Sequence, residues 1–383
     1  MKQEATVEAK AMKREITKER VILALAAPVL ALVVAVALTS VILLATGKNP
    51  FEPYSLMVSY VSEWPDVQVL VINQAVTYYL AALAVAVGFR MNLFNIGVEG
   101  QYRLGACVGA IVGFNLPAPG VVKMIAVIVT AVVVGALWAG VAALLKVTRG
   151  VSEVIATIML NSVAAAIIGY LIQKDVFGHQ PKGANGLNTG DLPESAWFPG
   201  IPYGDFEVFG FLVIAVLLGV GYWVMLNRTR FGFDLRAAGA SESAALASGV
   251  SGRKMVLIAM LASGALAGLI GMPSLLGESH TFMSDFPAGY GFTGIAIALL
   301  GRNHPLGMAF GAFLWAFLDK ASTTLDDNGY ESEISVIMQG IIVLAVVIAY
   351  ESVQRWGLKR QQQKVGAELA AAAKKNSAEK VTA

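Results

Sequence analysis

The sequence predicts an all-α, polytopic membrane protein with about ten transmembrane helices, some of them short or broken. Three observations predict it. Hydrophobic residues make up 56% of the 383 positions and charged residues 14%, against roughly 25% charged in soluble domains. The apolar residues gather into runs close to the roughly 20 residues that cross a hydrocarbon core. Lysine and arginine fall almost wholly in alternate connections between those runs. One membrane-embedded domain, residues 21–350, accounts for the length, with charged tails at 1–20 and 351–383.

The first run, residues 21–45, is longer than a signal-peptide core and lacks a small-residue cleavage pattern, so it reads as the first membrane helix. Clean candidates follow at 67–87, 93–114, 121–145 and 151–172, the first two with polar interruptions. A polar loop, 173–205, rich in glycine, proline and asparagine, separates these from a sixth run at 206–226. That loop reads either as a connector with interfacial aromatic anchors or as a docking surface for a soluble partner. Four shorter runs, 255–271, 290–300, 306–318 and 334–350, imply tilted, broken or re-entrant helices whose irregular backbone is shielded by protein or faces water.

With the N-terminus inside, every one of the 28 lysines and arginines except Lys48, Lys123, Lys174, Lys182, Lys320 and Arg103 lies on the cytoplasmic side. The external segments hold acids such as Asp326, Asp327, Glu331 and Glu333. Both ends then read as cytoplasmic in a multi-pass protein of the inner or plasma membrane. That requires an even number of crossings, ten, or eight if the two shortest runs dip without crossing.

Composition also excludes classes of chemistry. The net charge of +2 comes with no extended basic surface, which argues against nucleic acid as a partner. The single cysteine, Cys107, excludes an internal disulfide and a thiolate cluster, and reads as a small buried apolar side chain. There is no GxxxxGK[ST] loop, HExxH motif or GxSxG elbow. His179, His280 and His304 have no metal-ligand spacing. The chain therefore reads as a non-enzyme, without catalytic residues, metal ligands or a bound cofactor.

The informative residues are polar groups inside apolar runs: Asn73, Gln74, Asn95, Glu99, Gln101, Arg103, Glu153 and Asn161. An ionisable group deep in a bilayer costs at least about 2.5 kcal/mol. The spacing of Glu99 and Arg103 places them on one helix face and permits an acid-to-base pair. Asn73 and Asn161 read as bonds across helices. The patterns GALWAG and SGALAGLIG, with glycines at helical spacing, read as close helix packing. The longest internal cytoplasmic segment, residues 227–254, places Ser241 to cap a short helix through Ser248 and Gly249 to end it. About two turns do not stand alone, so this element reads as an exposed connector or as a helix presented to a cytoplasmic partner.

The stretches MNLFNIGVEGQ (91–101), EVIATIMLN (153–161), GFDLRAAGASESAALASGV (232–250) with SGALAGLIG (263–271), and GFTGIAIALLGRNHPLG (291–307) occur in an order that resembles the permease subunits of bacterial ABC importers for branched-chain amino acids, simple sugars and nucleosides, most closely the nucleoside type. The resemblance runs from about residue 75 to 350. It departs at SES, 241–243, where many relatives carry an asparagine-proline pair.

The resemblance implies a translocation pathway shared with a related permease, a cytoplasmic ABC ATPase that uses ATP and Mg, an extracytoplasmic substrate-binding protein, and a small-molecule cargo carried through membrane lipid. It places the segment around Arg236, Ala240, Ser241, Glu242, Ala244, Ala245 and Gly249 in an ATPase groove. Candidates to line the route are Asn73, Gln74, Asn92, Asn95, Glu99, Gln101 and Asn161, of which the group 92–101 lies in the nucleoside-type signature. Amides of this kind satisfy ribose hydroxyls and base edges without adding net charge, and serve a sugar equally. Import of simple sugars or branched-chain amino acids, an ion- or proton-coupled secondary transporter, and a membrane scaffold remain the alternatives.

Overall fold

The computed structural model describes residue 30, residues 33–180, 186–331 and 333–345, and scattered positions beyond. The tails at 1–20 and nearly all of 351–383, together with residues 21–29 of the first expected span, lie outside the described residues. The chain divides into two units, Met1–Pro53 with Glu333–Ala383, and Tyr54–Ser332.

In the first unit the described part of the expected first span is α1 (Val33–Ala45). Most of α2 (Glu52–Glu63) belongs to the second unit, which continues with α3 (Pro65–Phe89), α4 (Val98–Asn115), α5 (Gly120–Arg149) and α6 (Glu153–Leu171). A short hairpin, β1 (Ile201–Tyr203) and β2 (Phe206–Val208), precedes α7 (Phe211–Arg228). Then come α8 (Arg230–Ala240), α9 (Glu242–Ala247), α10 (Gly252–Gly268), α11 (Met272–Ser274) with a π-turn (Leu275–Ser279), α12 (Tyr290–Leu300), α13 (Pro305–Ala321) and α14 (Thr323–Asp327). The last described helix, α15 (Glu333–Ala345), returns to the first unit.

The protein is a polytopic, essentially all-α membrane protein. Among the described residues, five helices are long and apolar enough to cross a membrane: α3, α5, α6, α7 and the continuous run Gly252–Ser279. Two expected spans are redrawn. Residues 93–97 are not helical, because α4 starts only at Val98. Residues 206–208 form β2, paired antiparallel from Tyr203↔Phe206 to Ile201↔Val208, so the sixth span starts at Phe211.

Burial orders the bundle. The apolar window of α3 is 72% buried, while those of α5, α6 and α7 are only 22–28% buried. A helix apolar all round and covered all round is central, and one apolar but uncovered offers its outer face to lipid. Accordingly α3 packs against α10, α12 and α13, and α5 packs against α4 and α10. Pro65 opens α3 directly after Trp64, where its missing N–H costs nothing. At the other end of α5, Gly150 takes φ 68° and its N–H returns to Lys146 and Leu145 carbonyls. Lys146 then bonds Glu153 at 2.6 Å, joining the last turn of α5 to the first turn of α6.

The two glycine patterns meet each other. A Cβ on Gly135 would overlap the Gly264 carbonyl, and one on Gly264 would overlap Gly135 and Ala139. The backbones of α5 and α10 therefore touch, as the small-residue spacing predicts. The loop 173–205 is not a loose connector. Asn188 bridges both His179 and Met283, Phe198 N–H donates to the Leu276 carbonyl at 3.0 Å, and the Trp197 ring stacks on His280 at 3.7 Å. Burial against this cap holds the His280 pKa below its ordinary value, which favours the neutral ring in the stack.

Replacing Gly264 by leucine should destabilise the bundle by about 1–3 kcal/mol or prevent its assembly. Gly221 on α7, whose Cβ would meet nothing within 4 Å, should accept leucine. Thermal unfolding and size-exclusion profiles of the two variants in detergent check this contrast.

Candidate functional site

The segment 91–101 leaves the end of α3, turns, and starts α4. Leu93 N–H donates to the Gly88 carbonyl at 3.0 Å, and Asn92 makes the turn at φ 60° with an exposed side chain. Asparagine tolerates this left-handed conformation better than most residues. Around the turn Met91, Leu93 and Asn95 are buried, so the irregular backbone is shielded by protein.

Three polar clasps hold the segment. Asn95 and Gln101, each 1% exposed, pair their side-chain amides reciprocally at 3.0 and 2.9 Å. Asn95 Nδ2 also donates to Ser263 Oγ on α10 at 2.9 Å, and that hydroxyl donates to the Ala84 carbonyl on α3 at 2.7 Å. In the second clasp, Asn161 on α6 accepts from Gly100 N–H at 2.9 Å and donates to the Ile96 carbonyl at 3.0 Å. The third is Glu99. Its carboxylate accepts from Gly289 N–H at 2.9 Å and Gly291 N–H at 3.0 Å, and the Tyr102 hydroxyl lies 3.1 Å from it. That hydroxyl is also 2.8 Å from the Pro287 carbonyl, so one proton is shared between two acceptors.

Glu99 thus caps the N-terminus of α12, where backbone N–H groups lack intrahelical partners and the helix dipole favours negative charge. A Cβ at Gly291 would fall 2.5 Å from Glu99 N, so only glycine lets the two chains approach. The expected pair between Glu99 and Arg103 does not form. The carboxylate turns to α12 instead, and Arg103 Nε is buried without a hydrogen-bond partner.

The remaining route candidates lie elsewhere on α3. Asn73 Nδ2 donates to the Glu207 carbonyl at 3.2 Å and its Oδ1 accepts from Phe209 N–H at 2.7 Å, fastening the hairpin to α3. Gln74 faces a polar cluster that the sequence reading missed. Its Nε2 is buried without a hydrogen-bond partner, although the Tyr78 and Tyr290 hydroxyls lie nearby. Tyr290 packs edge-on against Tyr78 at 5.7 Å and stacks with Tyr102 at 5.9 Å. The Tyr78 hydroxyl donates to Asp319 Oδ2 at 3.3 Å, beside Lys320 at 3.5 Å from the same oxygen. A Gln-Tyr pair four residues apart on α3 was the available signal. Tyr290 and Asp319 join only through the fold.

The segment 227–254 forms two short helices. Thr229 caps α8 by accepting from Gly232 N–H at 3.1 Å. Ser241 is extended between α8 and α9, and Gly249 takes φ 80° after α9, with Val250 N–H returning to the Ala245 carbonyl at 2.9 Å. Arg236 donates to the Leu226 carbonyl at the end of α7. Ala245 is 2% exposed and faces inward, while Ala240, Ser241 and Gly249 are exposed. Glu242 and Ala244 lie in α9, and their side chains are outside what is described. The large exposed hydrophobic residues of the pair are Phe233, at 61%, and Leu246, at 68%.

One contact joins this segment to the buried one. A Cβ at Gly239 would fall 2.6 Å from the Arg90 carbonyl and 2.8 Å from Met91 Cα. So α8 lies directly on the turn that leads into 91–101. Arg90 itself donates to the Asn303 carbonyl at 2.7 Å, which also accepts from the Tyr222 hydroxyl at 3.0 Å.

The turn and the clasps differ sharply in tolerance. Asn95→Leu should cost about 1–3 kcal/mol, because Gln101 loses its buried partner. Asn92→Gly should leave stability within about 0.5 kcal/mol, since its side chain is exposed and glycine suits φ 60°. Thermal unfolding of the two variants measures the difference.

Residues 68–347 match the family model described as branched-chain amino acid transport system / permease component. The chain is 33% identical to the guanosine ABC transporter permease protein NupP of Bacillus subtilis, covering 84% of this chain and 93% of that one. It is 32% identical to the glucose ABC transporter permease protein TsgB13 of Haloferax volcanii, covering 85% and 87%. It is 28% identical to the nucleoside ABC transporter permease protein NupB of Lactococcus lactis, covering 84% and 90%. Among the described residues no cluster of His, Cys, Asp or Glu is placed to hold a metal ion. Matched by the family model over most of its length and at least 32% identical to two of these permeases, the chain belongs to the branched-chain amino acid transport permease family and is a translocation subunit.

Proposed function

We propose that this chain is the nucleoside-translocating permease of an ATP-driven importer, with ten crossings and both termini in the cytoplasm. It pairs with a related permease, receives cargo from an extracytoplasmic binding protein, and is driven by ABC ATPases that bind ATP and Mg. The relatives named for guanosine, nucleoside and glucose fit this machinery equally, so the choice of cargo rests on one observation. That observation is the buried Gln74 amide nitrogen facing the hydroxyls of Tyr78 and Tyr290, whose rings pack on each other. An amide donor reads the edge of a base, and tyrosine rings offer its face a stacking surface worth roughly 1–3 kcal/mol. Gln74 and the tyrosines touch the cargo. Asn73, Asn95, Glu99, Gln101 and Asn161 shape the route by fixing its walls, and Asn92 marks its cytoplasmic turn.

The drive enters at α8 and α9. Arg236, Ala240, Ser241, Glu242, Ala244, Ala245 and Gly249 form the element seated in the ATPase groove, with Phe233 and Leu246 as its apolar anchors. Arg236 and Ala245 keep the element rigid from within. Motion of α8 presses on Arg90 and Met91 and so on the clasped segment, shifting the bundle between two packings. A proton-coupled mechanism finds less support, because the Glu99 carboxylate is taken up by backbone donors.

Co-reconstitution of the full transporter with labelled uridine, guanosine, glucose and leucine tests the cargo. Uridine or guanosine uptake should depend on ATP and fall about tenfold or more in Gln74→Leu, the loss of roughly 1.4 kcal/mol or more. Glucose uptake without nucleoside uptake would overturn the assignment, as would uptake that follows a proton gradient without the ATPase.

The anchors are tested separately. Leu246→Asp should weaken co-purification of the ATPase by about tenfold, since it places a charge in an apolar contact, while membrane insertion is unchanged. Undiminished co-purification counts against this seat.

A further inference from the structure

A groove of about 570 Å³ runs between α3, α7 and α13, its wall including Val76, Ala215, Gly219, Trp223, Leu306 and Phe313. It lies on a different face of α3 from the polar cluster. Positions 72, 75, 76 and 79 line the groove, while Gln74 and Tyr78 point to the other side, as 100° per residue requires. The groove is therefore separate from the proposed route.

Its length and polarity suit one acyl chain. From Leu212, at the start of α7, to Trp223 the wall spans about 16 Å, the scale of a lipid chain and shorter than a roughly 30 Å hydrocarbon core. One end, near Ile72 and Leu212, is wholly apolar. The other end carries Trp223, His304 and, over the Trp223 ring at 5.7 Å, the Arg228 guanidinium. Among the described residues neither Arg228 nor His304 takes part in an ion pair. An acyl-length apolar trough that ends at an interfacial tryptophan and an uncompensated cation has the polarity of an anionic lipid.

We propose that this groove holds an acyl chain of one anionic phospholipid, its phosphate on Arg228 beside His304 and its glycerol region at Trp223. The charge at the groove's mouth selects the headgroup, and the apolar wall receives the chain. The same end of the bundle holds the Arg90, Tyr222 and Asn303 latch, so a bound lipid would brace α7 against α13 where that latch closes.

The test uses the full-length chain with its co-purifying subunits in phosphatidylcholine vesicles containing a minor fraction of brominated lipid. Quenching of Trp223 is isolated by subtracting the Trp223→Phe protein. Brominated phosphatidylglycerol should act about fivefold more strongly than brominated phosphatidylcholine at equal fraction, the ratio given by roughly 1 kcal/mol per basic residue near the surface. Arg228→Gln should bring the two lipids together, and Arg228→Lys should keep most of the preference. Equal quenching in the unaltered protein would mean ordinary boundary lipid and overturn the proposal. No quenching by either lipid would overturn it too, because another permease copy or a further segment of the chain then fills the groove.

Discussion

The second unit depends on how the first backbone N–H groups of α12 are satisfied where the helix packs on α4. A helix of 11 residues spans only about 16 Å, and in its first turn Gly291 is buried against Glu99. Unpaired N–H groups there cost several kcal/mol in lipid-like surroundings. The Glu99 carboxylate meets two of them, and the helix dipole offsets part of the cost of burying its charge. The buried acid and the short helix thus make each other tenable.

From that contact the remaining clasps follow in order. Because Glu99 is in the first turn of α4, its position also fixes where α4 begins. The chain between α3 and α4 must then be irregular, and its polar backbone must be met by side chains. Asn161 supplies one such partner from α6, while the Asn95 and Gln101 pair links α3 and α10 through Ser263. A single non-helical stretch therefore touches four helices. The contact of Gly239 with Arg90 and Met91 gives the exposed α8 a direct mechanical path to it. Small-residue contacts such as Gly135 with Gly264 permit helices to slide without emptying a cavity, a property suited to two alternative packings.

Much of this was legible in the chain because it is local. The runs of apolar residues placed α3, α5, α6 and α12 to within a few residues, and glycine spacing marked α5 and α10 for close packing without saying that they pack on each other. Gly249 ended its short helix for the reason a sequence reading gives, a left-handed C-terminal residue. Local spacing also misled. Glu99 and Arg103 sit four apart, yet the carboxylate found backbone donors 190 residues away, which no helical periodicity reveals. The hydrophobic run beginning at Phe206 concealed a hairpin, because alternating and helical apolar patterns look alike over a few residues. The cluster around Gln74 was half visible. Tyr290 and Asp319 reach it only through the packing of α12 and α13 on α3.

Hydrogen exchange across residues 287–293, read by mass spectrometry in the intact protein and in Glu99→Gln, tests the clamp most directly. The amide keeps the size of the carboxylate but sets a donor against a backbone donor. A clamp of this kind predicts faster exchange at the start of α12, with α5 and α10 unchanged. Unaltered protection at Gly289 and Gly291 would show that something other than Glu99 holds the helix, and would contradict the dependence of α12 on that carboxylate.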